Sequence, residues 1–255
     1  MKCVLIKDHG DVRVISMDRP KANAIHEGLV RDLTQALHDA RETPGVKAIV
    51  LSSAQEGYFS VGFDVREVFD FDRDRMLTFW SEFIDLYESL YHFPKPVVGA
   101  LPGHTFAGGI ILAFACDFRV MAQGPYGLGV SGINLGIPLP LGVMNMAINA
   151  IGPGHARRLF LSGETITPEY ALEIGLVQAL VPAERVLQGG IALAETLANK
   201  SPAAYRAIHR MFDALSGFDA IGSDKDRLDE FVQWWFNDES KMYRTRVRAQ
   251  ISRSA

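Results

Sequence analysis

The chain has 255 residues, 48% hydrophobic and 22% charged, with a formal net charge of −4. That is enough for one substantial buried core, and no basic stripe of the kind a general nucleic-acid binder needs dominates it. Cys3 and Cys116 are the only cysteines, which excludes a disulfide framework or a zinc-ligand spacing and predicts a reducing, cytoplasmic setting.

In chain order, 12–17 alternates with period two and reads as a strand. Leu29, Leu33 and Leu37 stand at helical spacing within 25–40, and 47–51 is a short buried strand. An amphipathic helix spans 75–90, with Phe79, Phe83, Leu86 and Leu90 on one side. A strand at 96–101 precedes a small-residue loop, Gly103 to Gly109, which opens into the apolar helix beginning at Ile110; a strand at 118–121 follows. The candidate membrane span, 94–115, carries Lys95 and His104 and is broken by Pro and Gly, so no span is predicted. Strand–helix–strand alternation implies right-handed crossovers and largely parallel pairing. Thr167-Pro168-Glu169 starts a helix that Gly175 closes, and 176–181 is a short apolar strand or extended link. Helices are expected at 182–200, 202–215 and 224–236, which divides the chain into a core of 1–200 and a helical part of 201–255.

Two glycine-centred segments carry the chemistry, Phe59 to Glu67 after the second strand and Gly103 to Gly109 after the third. Neither has the Lys-Ser/Thr of a phosphate loop or the Gly-x-Ser-x-Gly of a nucleophile elbow. Tight turns alone would explain one such segment. Two, each following a core strand, predict a paired site where free backbone N–H groups and a helix start receive negative charge.

Taken with 19–25 and 134–138, and with the later run 167–181, these segments in order resemble the crotonase superfamily, the enoyl-CoA hydratase/isomerase family, over essentially the whole chain. The resemblance implies an α/β crotonase-like (ClpP/crotonase) spiral of ββα repeats with a C-terminal helical region for trimerisation or capping. It also implies a homotrimer, often paired into a hexamer, and an acyl-CoA thioester ligand. Coenzyme A enters as part of the substrate, and no covalently bound cofactor, metal, nucleic acid or membrane is implied. By motif position, the Phe63 and Gly108 N–H groups form an oxyanion hole. Lys21, Ala22, Ala24, Asp64 and Arg66 lie where the family folds CoA along the protein. Asp64 also reads as a structural acceptor of local N–H groups, and Arg66 as a solvated surface charge in a mixed-sign run.

The family's two acid–base carboxylate positions read Ile111 and Gly132 here. Adding water needs one group to take a proton and another to deliver one, so ordinary hydratase activity is not expected. Double-bond isomerisation or a related enoyl-CoA reaction is the leading expectation, with an acyl-CoA decarboxylase or a non-catalytic acyl-CoA binder as alternatives. Asn134-Leu135-Gly136-Ile137-Pro138 resembles the methylmalonyl-CoA decarboxylase branch, although Leu139 replaces its tyrosine. A thioester hydrolase ranks last, because no residue is placed to activate water.

Glu82, Asp85 and Glu88 are substitute acids whose plainer reading is a solvated helix face. His104 reads as packing; Tyr126, Ser131 and Asn134 bracket the vacant position. Phe79, Phe83, Leu139 and Met144 suggest an apolar acyl pocket, which core packing explains equally. Trp234 and Trp235 read as packing or interface, with a cap over a neighbour's acyl pocket as the sharper reading. Arg244, Arg246 and Arg248 would reach CoA phosphates unless they form a solvated basic face.

Overall fold

The computed structural model describes residues 3–20, 22–217 and 222–253. Strands β1 (Val4–His9) and β2 (Val12–Met17) form an antiparallel hairpin, and helix α1 (Glu27–Glu42) follows. Three strand–strand–helix turns come next. The first is β3 (Ala48–Ser53), β4 (Tyr58–Ser60), a short α2 (Val65–Val68) and α3 (Arg73–Tyr91). The second is β5 (Val97–Leu101), β6 (His104–Phe106) and α4 (Gly108–Phe114). The third is β7 (Phe118–Ala122), β8 (Leu128–Gly129), a 3₁₀ turn at Gly132–Leu135 and α5 (Leu141–Ser162). Each turn gives its first strand to a six-stranded sheet, ordered β1-β2-β3-β5-β7-β10, and its second to a four-stranded sheet, ordered β4-β6-β8-β9. Pairing is parallel throughout except for β1–β2 and β8–β9. This is the expected crotonase-type spiral.

The remaining elements are β9 (Thr165–Ile166), α6 (Pro168–Glu173), β10 (Ala179–Val181), α7 (Val186–Ala198), α8 (Pro202–Ser216), α9 (Leu228–Phe236) and α10 (Asp238–Arg253). Thr167 caps α6 through its hydroxyl, as its sequence predicts. The predicted helices at 182–200 and 224–236 each begin as a 3₁₀ turn and narrow to α7 and α9. Local sequence pattern does not predict β1 or α5. Four of the six β1 residues are exposed, and α5 bends at Gly152, followed by Pro153, so neither shows a sustained period.

The first four residues of β3, Ala48 to Leu51, are all apolar because both faces of the strand are buried. Ile49 and Leu51 belong to the main core, whereas Ala48 and Val50 belong to a second core roofed by Val186, Ala194 and Ala198 of α7. Helix α3 buries Met76, Phe79, Trp80, Phe83, Tyr87 and Leu90, and α9 packs beside it. Among the described residues no helix is long and apolar enough to cross a membrane.

Candidate active site

The site grows from three backbone segments that lock together. The Ile25 N–H donates to Gly62 O at 2.7 Å and the Asp64 N–H to Ile25 O at 2.8 Å. This bridge uses the peptide groups on either side of Phe63 and leaves the Phe63 N–H itself pointing elsewhere. Buried Asn23 fixes the first segment: its side chain accepts from Arg19 N and donates to Ser53 Oγ and Phe59 O. Ala22 and Asn23 sit at φ +61° and +51°, a strained pair these bonds hold in place.

The second glycine loop lies directly against the first. Gly62 has φ +86°, and a Cβ there would fall 2.5 Å from the Ala107 Cβ and 3.1 Å from the Gly108 nitrogen, so only glycine fits. Ala107 is itself forced to φ +47° and tethered by its N–H to Gly129 O at 3.0 Å. The Gly108 N–H opens α4 and has no partner among the described residues, and neither has that of Phe63. Helix α4 has only seven residues, so the individual N–H groups matter more here than a long helix dipole. Buried Arg119 secures its far end by donating to Ala113 O at 2.9 Å and to Cys116 O.

Phe63 and Gly108 both line a cavity of about 40 Å³. Its wall also includes Ile111 and Gly132, so tertiary structure brings together the two expected donors and the two positions where carboxylates are missing. Ser131, Leu139, Trp80 and Trp235 line it too, and among the described residues no Asp, Glu, His or Lys does. The Phe63 ring is clamped edge-on by Phe79, Trp80 and Phe83 at centroid distances of 5.0–5.1 Å, which steadies its backbone. A larger cavity of about 670 Å³ lies under α8 and includes none of the oxyanion or CoA candidates.

The other candidates divide cleanly. Asp64 pairs with Arg19 at 2.5 Å and caps α2 by accepting the Arg66 N–H. Arg19, the first residue of the 19–25 motif, also reaches Ala24 O at 2.8 Å and ties the first segment to the second, a role its sequence position alone does not assign. Arg66 is exposed on α2, and Lys21 lies outside the described residues. None of the substitute acids lines the cavity: Asp85 pairs with Lys225, and Glu88 accepts from Ser223 and the Asp224 N–H. Burial pushes the Glu88 carboxyl up from its ordinary range.

His104 is a packing residue, stacked on Phe106 and accepting the Gly127 N–H through Nδ1. Asn134 donates to Gly163 O. Phe79 and Phe83 are core, whereas Leu139 does line the cavity. Met144 belongs to an adjoining space of about 400 Å³ that shares Ile137 and Leu139. Trp235 lines the cavity of its own chain, and Arg244 is bonded to the carbonyls of Trp235 and Ser240 instead of reaching outward. Arg248 pairs with Asp70. No group of metal-ligating side chains exists among the described residues.

A family profile described as enoyl-CoA hydratase/isomerase matches residues 7–234. The chain belongs to the enoyl-CoA hydratase/isomerase family. It is 31% identical over 188 residues to mouse mitochondrial enoyl-CoA delta isomerase 1, covering 72% of this chain and 65% of that protein, just under two thirds of its length. It is 30% identical over 235 residues to a putative enoyl-CoA hydratase of Thermus thermophilus, covering 91% of each. The solved human mitochondrial delta3-delta2-enoyl-CoA isomerase superposes with a TM-score of 0.92 over 99% of both chains at 24% identity. As a member of this family the chain has the fold of the crotonases.

Proposed function

We propose that this family member stabilises a thioester enolate between the Phe63 and Gly108 N–H groups, and that the enolate forms without a protein carboxylate. The observation that carries this reading is the cavity wall. Among the described residues, it joins two unpartnered amides to Ile111 and Gly132 and contains no titratable acid or base. Backbone donors fixed before charge develops suit an enolate oxygen, because nothing need reorganise as the charge forms. Isomerisation and hydration both need a proton carrier within reach of the acyl carbons, and Ile111 and Gly132 supply none. Loss of carbon dioxide from a 2-carboxyacyl thioester needs only the enolate site. The C–C bond breaks, its electron pair enters the enolate, and water protonates C2 afterwards. Ala22, Ala24, Arg66 and Lys21 remain the proposed CoA contacts. Asp64 serves that surface by holding Arg19 and the start of α2.

Isomerisation is the second reading, favoured by the 31% identity to the mouse isomerase. Incubation with malonyl-CoA, methylmalonyl-CoA, a 3-enoyl-CoA and crotonyl-CoA, followed by chromatography and mass spectrometry, separates them. Loss of carbon dioxide from the first two supports the main reading. A double-bond shift at unchanged mass supports the second. Binding without turnover of any ester overturns both in favour of a binder.

A homotrimer or hexamer is proposed as well, with 201–255 as its assembly and capping region. Its support is α8, which leaves Ile208, Met211, Phe212 and Leu215 between 53% and 83% exposed along a single helix.

A further inference from the structure

The cavity that holds the Phe63 and Gly108 N–H groups is walled on one side by Leu139. Beyond Leu139 lies the adjoining space of about 400 Å³, and among the described residues only Ile137 and Leu139 line both. That space is largely apolar, with Val130, Ile133, Met144, Phe160 and Leu161 in its wall. The small cavity, at about 40 Å³, holds roughly three water-sized groups. A thioester carbonyl and about two further carbons fill that volume, so a longer acyl chain has to leave it in some direction.

Most directions are shut. Trp80, Trp235 and Ile111 are each 2% exposed. Trp80 packs edge-on against Phe63, Phe83 and Phe231 at 5.0, 5.8 and 4.5 Å, and Trp235 against Phe69 at 5.8 Å. Ile137 is buried, and its N–H donates to Gly132 O at 3.1 Å. Leu139 is only half-buried, and of the half-buried wall residues it alone also lines the neighbouring space.

Leu139 also stands against the position where a carboxylate is missing. A Cβ on Gly132 would fall 3.2 Å from Leu139 Cγ and 3.0 Å from Ile137 O. The backbone has little freedom to carry Leu139 away. Pro138 and Pro140 flank it, Pro140 is buried at the start of α5, and a residue before proline is confined to extended conformations. The preceding turn is held to α10 by the Ser240 hydroxyl, which donates to Gly136 O at 2.6 Å. The side chain of Leu139 is therefore what keeps the two spaces apart.

We propose that Leu139 sets the acyl-chain length: with leucine there the site accepts short acyl-CoA thioesters, and a smaller residue opens it into the adjoining 400 Å³ space. This rests on the enolate reading above and adds the length of chain that site serves. Leu139 touches the acyl chain and takes no part in the chemistry. Each methylene that gains a buried apolar site tightens binding about fourfold. The wall thus stops affinity from rising with chain length, and its removal lets it rise.

The test is calorimetric titration of acetyl-, butyryl-, hexanoyl- and octanoyl-CoA into wild type, Leu139→Ala and Met144→Ala, the last altering a residue of the outer space alone. These saturated esters carry no double bond and no second carboxylate, so binding is read without turnover. Wild type should bind butyryl-CoA at least as tightly as octanoyl-CoA. Leu139→Ala should bind octanoyl-CoA about tenfold or more tighter than wild type does, and acetyl-CoA within about threefold. Met144→Ala should keep the wild-type order. Leu139→Val, which the extended backbone favours, should shift the same way by a smaller factor, and it covers the case in which the alanine variant does not fold. Octanoyl-CoA binding unchanged in both Leu139 variants, or raised equally by Met144→Ala, would overturn the proposal.

An octanoyl-CoA analogue with a diazirine at its chain end locates the tail directly. After irradiation of Leu139→Ala, mass spectrometry should place the label on residues of the outer space such as Met144 and Phe160, and wild type should lack it. Label there in both proteins, or in neither, would overturn the proposal. A chain-length limit that follows Leu139 with no turnover of any ester would keep the wall and overturn the enolate chemistry. Turnover with no such limit would do the reverse, so the two fail separately.

Discussion

At the residue scale, Gly108 matters in two separable ways, through its N–H and through its missing side chain. A Cβ there would meet Ile25 Cδ1 at 2.9 Å and the Phe63 ring at 3.1 Å, both side-chain atoms able to give slightly. Gly108→Ala therefore tests crowding alone, and Gly108→Pro removes the donor as well, at a helix start that tolerates proline. Steady-state kinetics on the best-turned-over ester should show kcat falling roughly 100- to 1,000-fold in the proline variant. The alanine variant should keep most of it. A comparable loss in both, with intact near-UV circular dichroism, would remove the amide from the mechanism. Gly108 and Phe63 were singled out in the sequence by their motif positions in the family it resembles, and the structure leaves both N–H groups without a partner among the described residues. Trp80 was not singled out, since a tryptophan on the apolar face of an amphipathic helix looks like packing until the fold sets it in the cavity wall.

At the element scale, α5 shows what local patterning misses. It starts after Pro140 with no side-chain cap of its own. Asp224, distant in sequence and 4% exposed, fills that role by accepting the Gly142 N–H at 3.0 Å and the Tyr87 hydroxyl at 2.6 Å. One carboxylate thus joins α3, α5 and the turn before α9, the helix that carries Trp235. Removing it strands a buried hydroxyl and a helix-start N–H, so Asp224→Ala should lower stability by about 2 kcal/mol or more in urea unfolding. A loss under about 0.5 kcal/mol would show that water replaces it without consequence. Glu88 belongs to the same junction, which is why a carboxylate on the α3 face proves to be structural.

At the scale of the whole molecule, α8 is bound to the spiral by charge on one side and left bare on the other. His209 faces Asp117 at 3.1 Å and Asp213 at 3.4 Å; His92 also approaches Asp213, and Tyr205 lies near Asp117. The hydrogen bond to Asp117 raises the His209 pKa above the ordinary 6.5, against the opposing effect of burial. The protonated form is therefore favoured by folding. Its stabilisation is complete below pH 6.5 and is lost as pH rises through the higher folded value. Calorimetry should show Tm falling across that window, and falling less in His209→Gln; parallel profiles would refute the linkage. On the bare side, Phe212→Asp should shift light-scattering mass toward the monomer if α8 forms the subunit contact. An unchanged mass would place the interface elsewhere.

The sequence by itself determined the strand–helix alternation, the family, and the presence of Ile111 and Gly132 where carboxylates were expected, because these reside in local periodicity and in residue identity at motif positions. It also pointed to packing for His104 and to local N–H capping for Asp64, and the hydrogen bonds of both residues match. What it did not contain is which groups meet. That Phe63, Gly108, Ile111 and Gly132 share one cavity, that Glu88 turns away to a junction, and that Trp80 and Trp235 line the same wall follow from the close approach of segments far apart in the chain. A hydrogen bond, or the lack of one, is a fact about neighbours in space, and only the tertiary structure chooses those neighbours.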